Sequence, residues 1–266
     1  MSTGTRTGTG TGYRERNSTA DRALTLLQMF DDGRLVISAN EVAEDMGVAR
    51  STAYRYLQTL VQAQFLSEDG RGGFRLGMKV LQLARLARKS YGLADVAVPA
   101  MRSLAAEFHQ TTLLTKQSGN MIICLEREES PSQYIRLSYE RGTLLTLNAG
   151  ASALVLLAWL PEGEVRRLLA SVELQRYTDA TLTEPEDILK RLAEIREAGV
   201  GISYGEVDEA AMGVAAPVFG SDGRVVAAIS IVLIQSRVSD ADRQRIVDGV
   251  TAAGALLSEQ ISLLEE

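Results

Sequence analysis

The chain has 266 residues, of which 45% are hydrophobic, and this is enough for two domains that each bury a core. The longest apolar run, at residues 149–160, contains Ser152 and ends at Pro161, so it is too short and too interrupted to cross a bilayer. The single cysteine, Cys124, excludes an internal disulfide framework, and one histidine, His109, argues against a zinc site or a Ser-His-Asp triad. We therefore expect a cytoplasmic protein that is not an enzyme, that carries no cofactor or metal, and that does not associate with a membrane.

The charge is divided unevenly along the chain. Residues 1–90 hold 13 Lys and Arg against 9 Asp and Glu, a net charge of +4, whereas residues 91–266 hold 15 against 25, a net charge of −10. A modestly basic region on an acidic body is compatible with salt-sensitive, site-specific binding to DNA. The Thr- and Gly-rich residues 1–17 lack the apolar centre of a signal peptide, and we predict that they form a disordered tail.

The next segment predicts three helices. Apolar residues recur at helical spacing in residues 19–30, and Ser38 and Glu41 have the S-x-x-E spacing of a capping box that starts a second helix. Gly47 allows the chain to reverse before a third helix that begins near Ala49 or Arg50. This layout is typical of a DNA-reading helix-turn-helix, although the periodicity alone fits an ordinary pair of core helices equally well.

The third helix has one apolar and one polar face. Ala53, Leu57 and Leu60 share the apolar face, and the opposite face carries groups that suit DNA, since Arg can fork to guanine, Gln can address adenine and hydroxyls can meet phosphate. Two short apolar-polar runs with a glycine-rich tip follow at residues 65–76 and predict a β-hairpin, the wing. The residues that we predict to contact DNA, on the helix and on the wing, are Arg50, Ser51, Thr52, Tyr54, Arg55, Gln58, Arg71 and Arg75.

Residues 77–90 predict a further helix that is apolar on more than one side, with basic residues interleaved. Such a helix either packs on its own domain or mediates dimerisation and signal transmission, and the width of the apolar stripe favours the second interpretation.

The remaining residues predict an α+β domain with an antiparallel sheet and helices on one side. We predict helices at residues 93–110, 149–160, 162–171, 184–198 and 240–264, with Pro99 near a helix start or at a kink. We predict strands at residues 112–117, 121–127, 133–139, 214–219 and 225–235.

Several segments, in this order and spacing, resemble the IclR family of transcriptional regulators along nearly all of the chain beyond the tail; they are residues 20–30, 49–60, 73–77, 215–219 and 222–226. The resemblance implies a winged helix-turn-helix domain at residues 18–77, a linker helix for dimerisation at 78–92, and a GAF-like effector-binding domain at 93–266. It also implies homodimers or homotetramers on a near-palindromic double-stranded DNA operator, and a small effector that usually bears a carboxylate.

The resemblance also implies an effector pocket. Asn148 stands where the family commonly has His, and Gly213 stands where many members place a cysteine or another small polar residue. Empty space at Gly213 and an apolar side chain at Leu154 would favour a bulkier, partly apolar or aromatic acid over a very small one. The effector-binding residues that the resemblance implies are Asn148, Ala149, Gly150, Ala151, Ser203, Ala211, Met212, Gly213 and Ser230.

Two other functions remain open at this point. The chain could be a constitutive DNA-binding repressor with a ligand-free dimerisation domain, or an enzyme that uses Glu206, Asp208 and Glu209 as carboxylates and docks partners through the helix-turn-helix. The enzyme is disfavoured because the sequence offers no metal site and no paired base.

Overall fold

The computed structural model describes residues 19–130 and 140–265, and the chain divides into two compact units between Ala87 and Arg88. The predicted tail at residues 1–17 and the predicted strand at residues 133–139 lie outside the described residues. Within the described part, no helix combines the length and the apolar composition needed to span a membrane.

The first unit is a small helical domain with a three-stranded antiparallel sheet in the order β1-β3-β2. Its elements are α1 (Thr19–Leu27), β1 (Ile37–Ser38), α2 (Ala39–Asp45), α3 (Arg50–Gln62), β2 (Leu66–Glu68) and β3 (Gly73–Leu76). The predicted helices and the wing hairpin are confirmed, but the two-residue strand β1 was not predicted. The core includes Leu26, Leu57 and Phe74, whereas Leu24 on α1 is 59% exposed.

The start of α2 confirms the predicted capping box. The Ser38 hydroxyl accepts from the Glu41 amide at 3.3 Å, and the Glu41 carboxylate accepts from the Ser38 amide at 2.6 Å. The contact with Ser38 holds the pKa of Glu41 below its ordinary value. Two amides that the helix itself leaves unpaired are thereby satisfied.

Replacing Ser38 by alanine is expected to lower the free energy of unfolding of the first unit by about 1 kcal/mol, because the Glu41 amide loses its acceptor. Urea unfolding followed by circular dichroism would measure the change. Ser51→Ala, at an exposed serine of α3, is the matched control. Equal losses in the two variants would contradict the capping argument.

Helix α4 (Met78–Tyr91) follows the wing and confirms the predicted helix at residues 77–90. Leu81, Leu83 and Leu86 are 63%, 41% and 50% exposed. Three large apolar side chains therefore face solvent in the single chain. The predicted dimerisation role of this helix stays a prediction.

The second unit contains a six-stranded sheet in the order β6-β5-β4-β9-β8-β7, in which each pair of neighbours is antiparallel. Its elements are α5 (Leu93–Phe108), β4 (Thr111–Ser118), β5 (Met121–Glu128), β6 (Leu144–Leu145), α6 (Ala151–Ala158), α7 (Glu162–Ala170), α8 (Pro185–Ala198), β7 (Gly201–Tyr204), β8 (Ala211–Phe219), β9 (Val225–Ile234) and α9 (Asp240–Glu265). The α+β class is confirmed. The edge strands β6 and β7 were not predicted. Pro99 lies inside α5, so it is not at the helix start, and the alternative of a kink stays a prediction.

Helices cover both faces of this sheet, so the prediction of helices on one side was wrong. Val214 and Ala216 pack with α5 and α9 in one core, and Ala215 packs with α6, α7 and α8 in the other. Neighbouring residues of a strand point to opposite faces, and β8 is apolar on both. The sheet is therefore the middle of three layers.

Helix α9 lies close against the sheet at Gly254. A Cβ atom placed on Gly254 would lie 2.8 Å from the Pro217 carbonyl oxygen and 2.9 Å from the Ala216 Cβ. Because the nearest atom belongs to the backbone, the helix cannot accept a side chain at Gly254 without moving.

Candidate DNA interface and effector cavity

Helix α3 presents a polar face to solvent. Arg50, Ser51, Tyr54 and Arg55 are exposed and Thr52 is half-buried, whereas the opposite face is buried in the core of the first unit. Ala49 precedes the helix and offers no side-chain cap, so the first amides of α3 remain available to a phosphate. This arrangement fits a helix that enters a groove of DNA by its N-terminal half.

The wing contributes a carboxylate to this face. The Gln58 Nε2 donates to Glu68 Oε1 at 2.6 Å and to the Tyr54 hydroxyl at 3.0 Å. The Tyr54 ring stands edge-on to Phe74, with 6.0 Å between the ring centroids. The Gln58 Nε2 is therefore already engaged, and a bidentate contact with adenine requires it to leave Tyr54 or Glu68. No local pattern in the sequence signals this pairing, because it depends on how the hairpin folds back on α3.

Asp69 shapes the tip of the wing. Its Oδ1 accepts from the amides of Arg71 and Gly73, each at 2.8 Å, and these two bonds hold the pKa of Asp69 below its ordinary value. Arg71 is exposed at the tip.

Arg75 lies on the face of the hairpin opposite Phe74, because neighbouring strand residues point to opposite faces. Its Nε donates to Ser67 Oγ at 3.2 Å, and it lines a surface groove together with Asp31 and Asp32. Roles in DNA binding for Arg71 and Arg75 stay predictions.

The second unit contains a cavity at the N-terminus of α6. Its volume is about 50 Å³, and it is partly open to solvent. Seven of the residues that the resemblance implied line it: Ala149, Gly150, Ala151, Ser203, Ala211, Gly213 and Ser230. The other lining residues are Leu113, Leu145, Ser152, Ala153, Glu206, Val207 and Val232.

Two implied pocket residues lie elsewhere. Met212 is fully buried in the core with α5 and α9, because it points to the face of β8 opposite Gly213. Asn148 is fully buried beside the cavity, and its Nδ2 donates to the carbonyl oxygens of Gln175 and Leu182 at 3.0 and 2.8 Å. The Asn148 side chain thus holds the loop before α6 and does not line the cavity.

The prediction of empty space at Gly213 is also wrong. A Cβ atom there would lie 2.8 Å from Ser203 Oγ and 3.3 Å from the Ala151 Cβ, so the position is already enclosed. Leu154 is fully buried in the core with α7 and α8 and does not line the cavity. Neither residue therefore supports a preference for a bulky effector.

The polar lining of the cavity is dominated by hydroxyls and one carboxylate. Ser152 Oγ donates to Ser230 Oγ at 2.9 Å, and Ser203 is nearly buried. Glu206 is 8% exposed, and its Oε2 accepts from the Gly150 amide at 2.8 Å. Burial raises the pKa of Glu206, against the opposing effects of the Gly150 amide and the Arg191 charge. None of the described lining residues is a Lys, Arg or His.

Two protein-family models match the chain. The IclR helix-turn-helix domain matches residues 19–70, and the model for the C-terminal part of the bacterial transcriptional regulator IclR matches residues 86–259. The chain belongs to the IclR family of DNA-binding transcriptional regulators.

Named relatives of this regulator span nearly its whole length. It is 30% identical to the HTH-type transcriptional regulator XynR of Escherichia coli strain K12, over 91% of this chain and 96% of XynR. It is 27% identical to the HTH-type transcriptional regulator KipR of Bacillus subtilis strain 168, over 93% of this chain and 98% of KipR.

A solved structure shares the fold of the regulator and contains a small molecule. The IclR homologue of Microbacterium hydrocarbonoxydans, complexed with 4-hydroxybenzoate, superposes with a TM-score of 0.80 at 25% identity and covers 92% of this chain and 99% of that one. The IclR transcriptional regulator of Alicyclobacillus acidocaldarius also has a TM-score of 0.80, at 26% identity, over 91% of this chain and 97% of that one.

For this regulator, replacing Glu68 by glutamine is expected to raise DNA affinity about two- to fivefold at low salt, because one negative charge leaves the surface that we predict to face phosphates. Fluorescence anisotropy with a DNA duplex would measure the change. Glu173→Gln alters the net charge equally at an exposed position of the second unit and serves as control. An equal gain in both variants would contradict a local role for Glu68.

Proposed function

We propose that the protein is a sequence-specific regulator whose operator binding is modulated by a small, carboxylate-bearing and partly apolar effector. The observation that carries the proposal is the cavity at the N-terminus of α6, which occurs in the same chain as a helix, α3, whose polar face is exposed. Its walls are mostly small apolar side chains, with a few hydroxyls that can orient a ligand. Amides at the start of a helix favour a negatively charged group.

We further propose that the protein acts as a homodimer or homotetramer in which α4 links the two functions. The exposed Leu81, Leu83 and Leu86 support this role, since a partner helix would remove them from water. In such an assembly the effector favours one arrangement of the effector-binding domains, and the linker helices convert it into a spacing of the two recognition helices. This requires different effector affinities for the two states.

The test begins with a duplex selected from random DNA by the purified protein, and this duplex serves as the operator. Aromatic and aliphatic acids are then screened for a rise in melting temperature and for a change in operator affinity. The first probe is 4-hydroxybenzoate, because a related protein forms a complex with it. We expect at least one acid to change both quantities, because a ligand that binds one state better shifts the equilibrium toward it.

A cavity variant separates effector binding from other effects. Ala211→Phe places a ring at a half-buried residue of the cavity lining and is expected to abolish the response to the acid while DNA binding persists. Ala210→Phe, at the exposed neighbour, is expected to respond normally. If no acid changes the melting temperature or the operator affinity, the result contradicts the effector proposal and favours the alternative, a constitutive DNA-binding repressor with a ligand-free dimerisation domain.

A further inference from the structure

We propose that Glu206 couples effector binding to proton uptake, so that an acid effector binds with one proton shared between its carboxyl group and the Glu206 carboxyl group. This inference rests on the proposed function, because it states how the acid is recognised in the cavity. Glu206 is itself one of the residues that line the cavity.

Glu206 already occupies part of the position that an acid would be expected to take. Its Oε2 accepts from the Gly150 amide at 2.8 Å, immediately before the first residue of α6. The partial positive charge of the helix terminus is therefore balanced by an internal carboxylate before any effector arrives. A second carboxylate in the same cavity would lie close to the first and repel it.

The surroundings offer little positive charge to hold two anions. Arg191 on α8 attracts Glu206, but its guanidinium donates to the Ile202 carbonyl oxygen and is paired with Glu194 at 3.0 Å. On the loop that carries Glu206, the exposed Asp208 and Glu209 add further negative charge. Besides Glu206, the side chains of the described residues that line the cavity are only hydroxyls and apolar groups.

One bound proton removes the repulsion between the two carboxylates. An effector carboxylate enters together with a proton from solvent, and the proton lies between an effector oxygen and a Glu206 oxygen. The pair then carries a single negative charge, as two carboxyl groups in contact generally do. Burial favours this proton, because it raises the pKa of Glu206 in the empty cavity.

The first test is calorimetry with 4-hydroxybenzoate at one pH in two buffers that differ in ionisation enthalpy. We expect close to one proton taken up per molecule bound, and an affinity that falls about tenfold per pH unit once both carboxyl groups are ionised in the free species. Glu206→Gln is expected to bind the acid without proton uptake and with little dependence on pH.

Glu209→Gln is the matched control and is expected to behave like the wild type. Glu209 is exposed, whereas Glu206 on the same loop is 8% exposed. The two glutamine variants therefore remove the same charge from the same loop, and only Glu206→Gln removes it from the cavity.

The second test needs no effector. A carboxyl group whose pKa is raised on folding binds more protons in the folded state, so it stabilises the protein at low pH and this stability is lost as pH rises through the folded-state pKa. Urea unfolding from about pH 5 to about pH 8, a range in which ordinary glutamates are ionised, is expected to show wild type losing stability relative to Glu206→Gln. Glu209→Gln is expected to follow wild type.

The outcomes separate the two proposals. Binding of 4-hydroxybenzoate without proton uptake, or an unchanged pH dependence in Glu206→Gln, overturns the role of Glu206 and leaves an acid effector in place. A stability difference that does not vary with pH overturns the role of Glu206 whatever binds. If 4-hydroxybenzoate gives neither heat nor a rise in melting temperature with wild type and Glu206→Gln, while stability shows the expected pH dependence, the result counts against 4-hydroxybenzoate as the effector and supports the proton site at Glu206.

Discussion

Replacing Arg55 by alanine is expected to remove much of the regulator's preference for its operator and to weaken operator binding by about 1–3 kcal/mol. Arg55 is exposed on α3, on the helix face opposite the buried Leu57. A guanidinium in this position can donate two parallel hydrogen bonds to a guanine, and alanine can donate none. Binding to unrelated DNA should change much less, because phosphate contacts supply most of it.

The measurement compares operator and unrelated duplexes by fluorescence anisotropy at several salt concentrations. Arg71→Ala is the matched control, since it removes the same charged group from the exposed wing tip. It should weaken binding to both duplexes. It should also lower by about one the number of counterions released on binding, which is read from the salt dependence of the affinity. Unchanged operator affinity in both variants would contradict the assignment of this face to DNA.

Replacing Gly254 by leucine is expected to destabilise the second unit by more than about 3 kcal/mol, beyond the usual range for an overpacked core. Even a Cβ atom would lie 2.8 Å from the Pro217 carbonyl oxygen, and a leucine adds three further carbons. Helix α9 would have to leave β8, which would expose part of the core that contains Val250 and Leu257.

Urea unfolding measured by tryptophan fluorescence suits this test, because Trp159 lies in the second unit, directly after α6. Ala255→Leu adds the same side chain at the exposed next position of α9 and is expected to change stability by less than about 0.5 kcal/mol. Similar losses in the two variants would show that the close contact at Gly254 does not limit packing.

The sequence predicted the elements that carry a local signal. Ser38 and Glu41 located the start of α2, and the glycine-rich tip located the wing. The strands β1, β6 and β7 have only two to four residues, so no periodicity marks them. Strand β9 did carry a signal, because its residues are almost all apolar and do not alternate with polar ones. Such a pattern indicates a strand that is buried on both faces. That signal favours helices on both sides of the sheet.

Missing strand β7 also explains one error at the site. Ser203 lies opposite Gly213 in the pairing of β7 with β8, so the enclosure of Gly213 follows only once β7 is known. The pairing of Glu206 with the Gly150 amide joins positions 56 residues apart and has no local signature. Met212 was a different kind of error, since adjacent strand residues cannot both face one cavity.

The shared sheet has a consequence for the dynamics of the second unit. Strands β8 and β9 form a wall of the cavity through Gly213 and Ser230, and their opposite faces belong to the core with α5 and α9. We therefore expect the two cores to open together, so that their amides exchange hydrogen in one cooperative event. A ligand that binds only the closed unit suppresses that event by mass action, so it should slow exchange in α9, a helix that it does not touch.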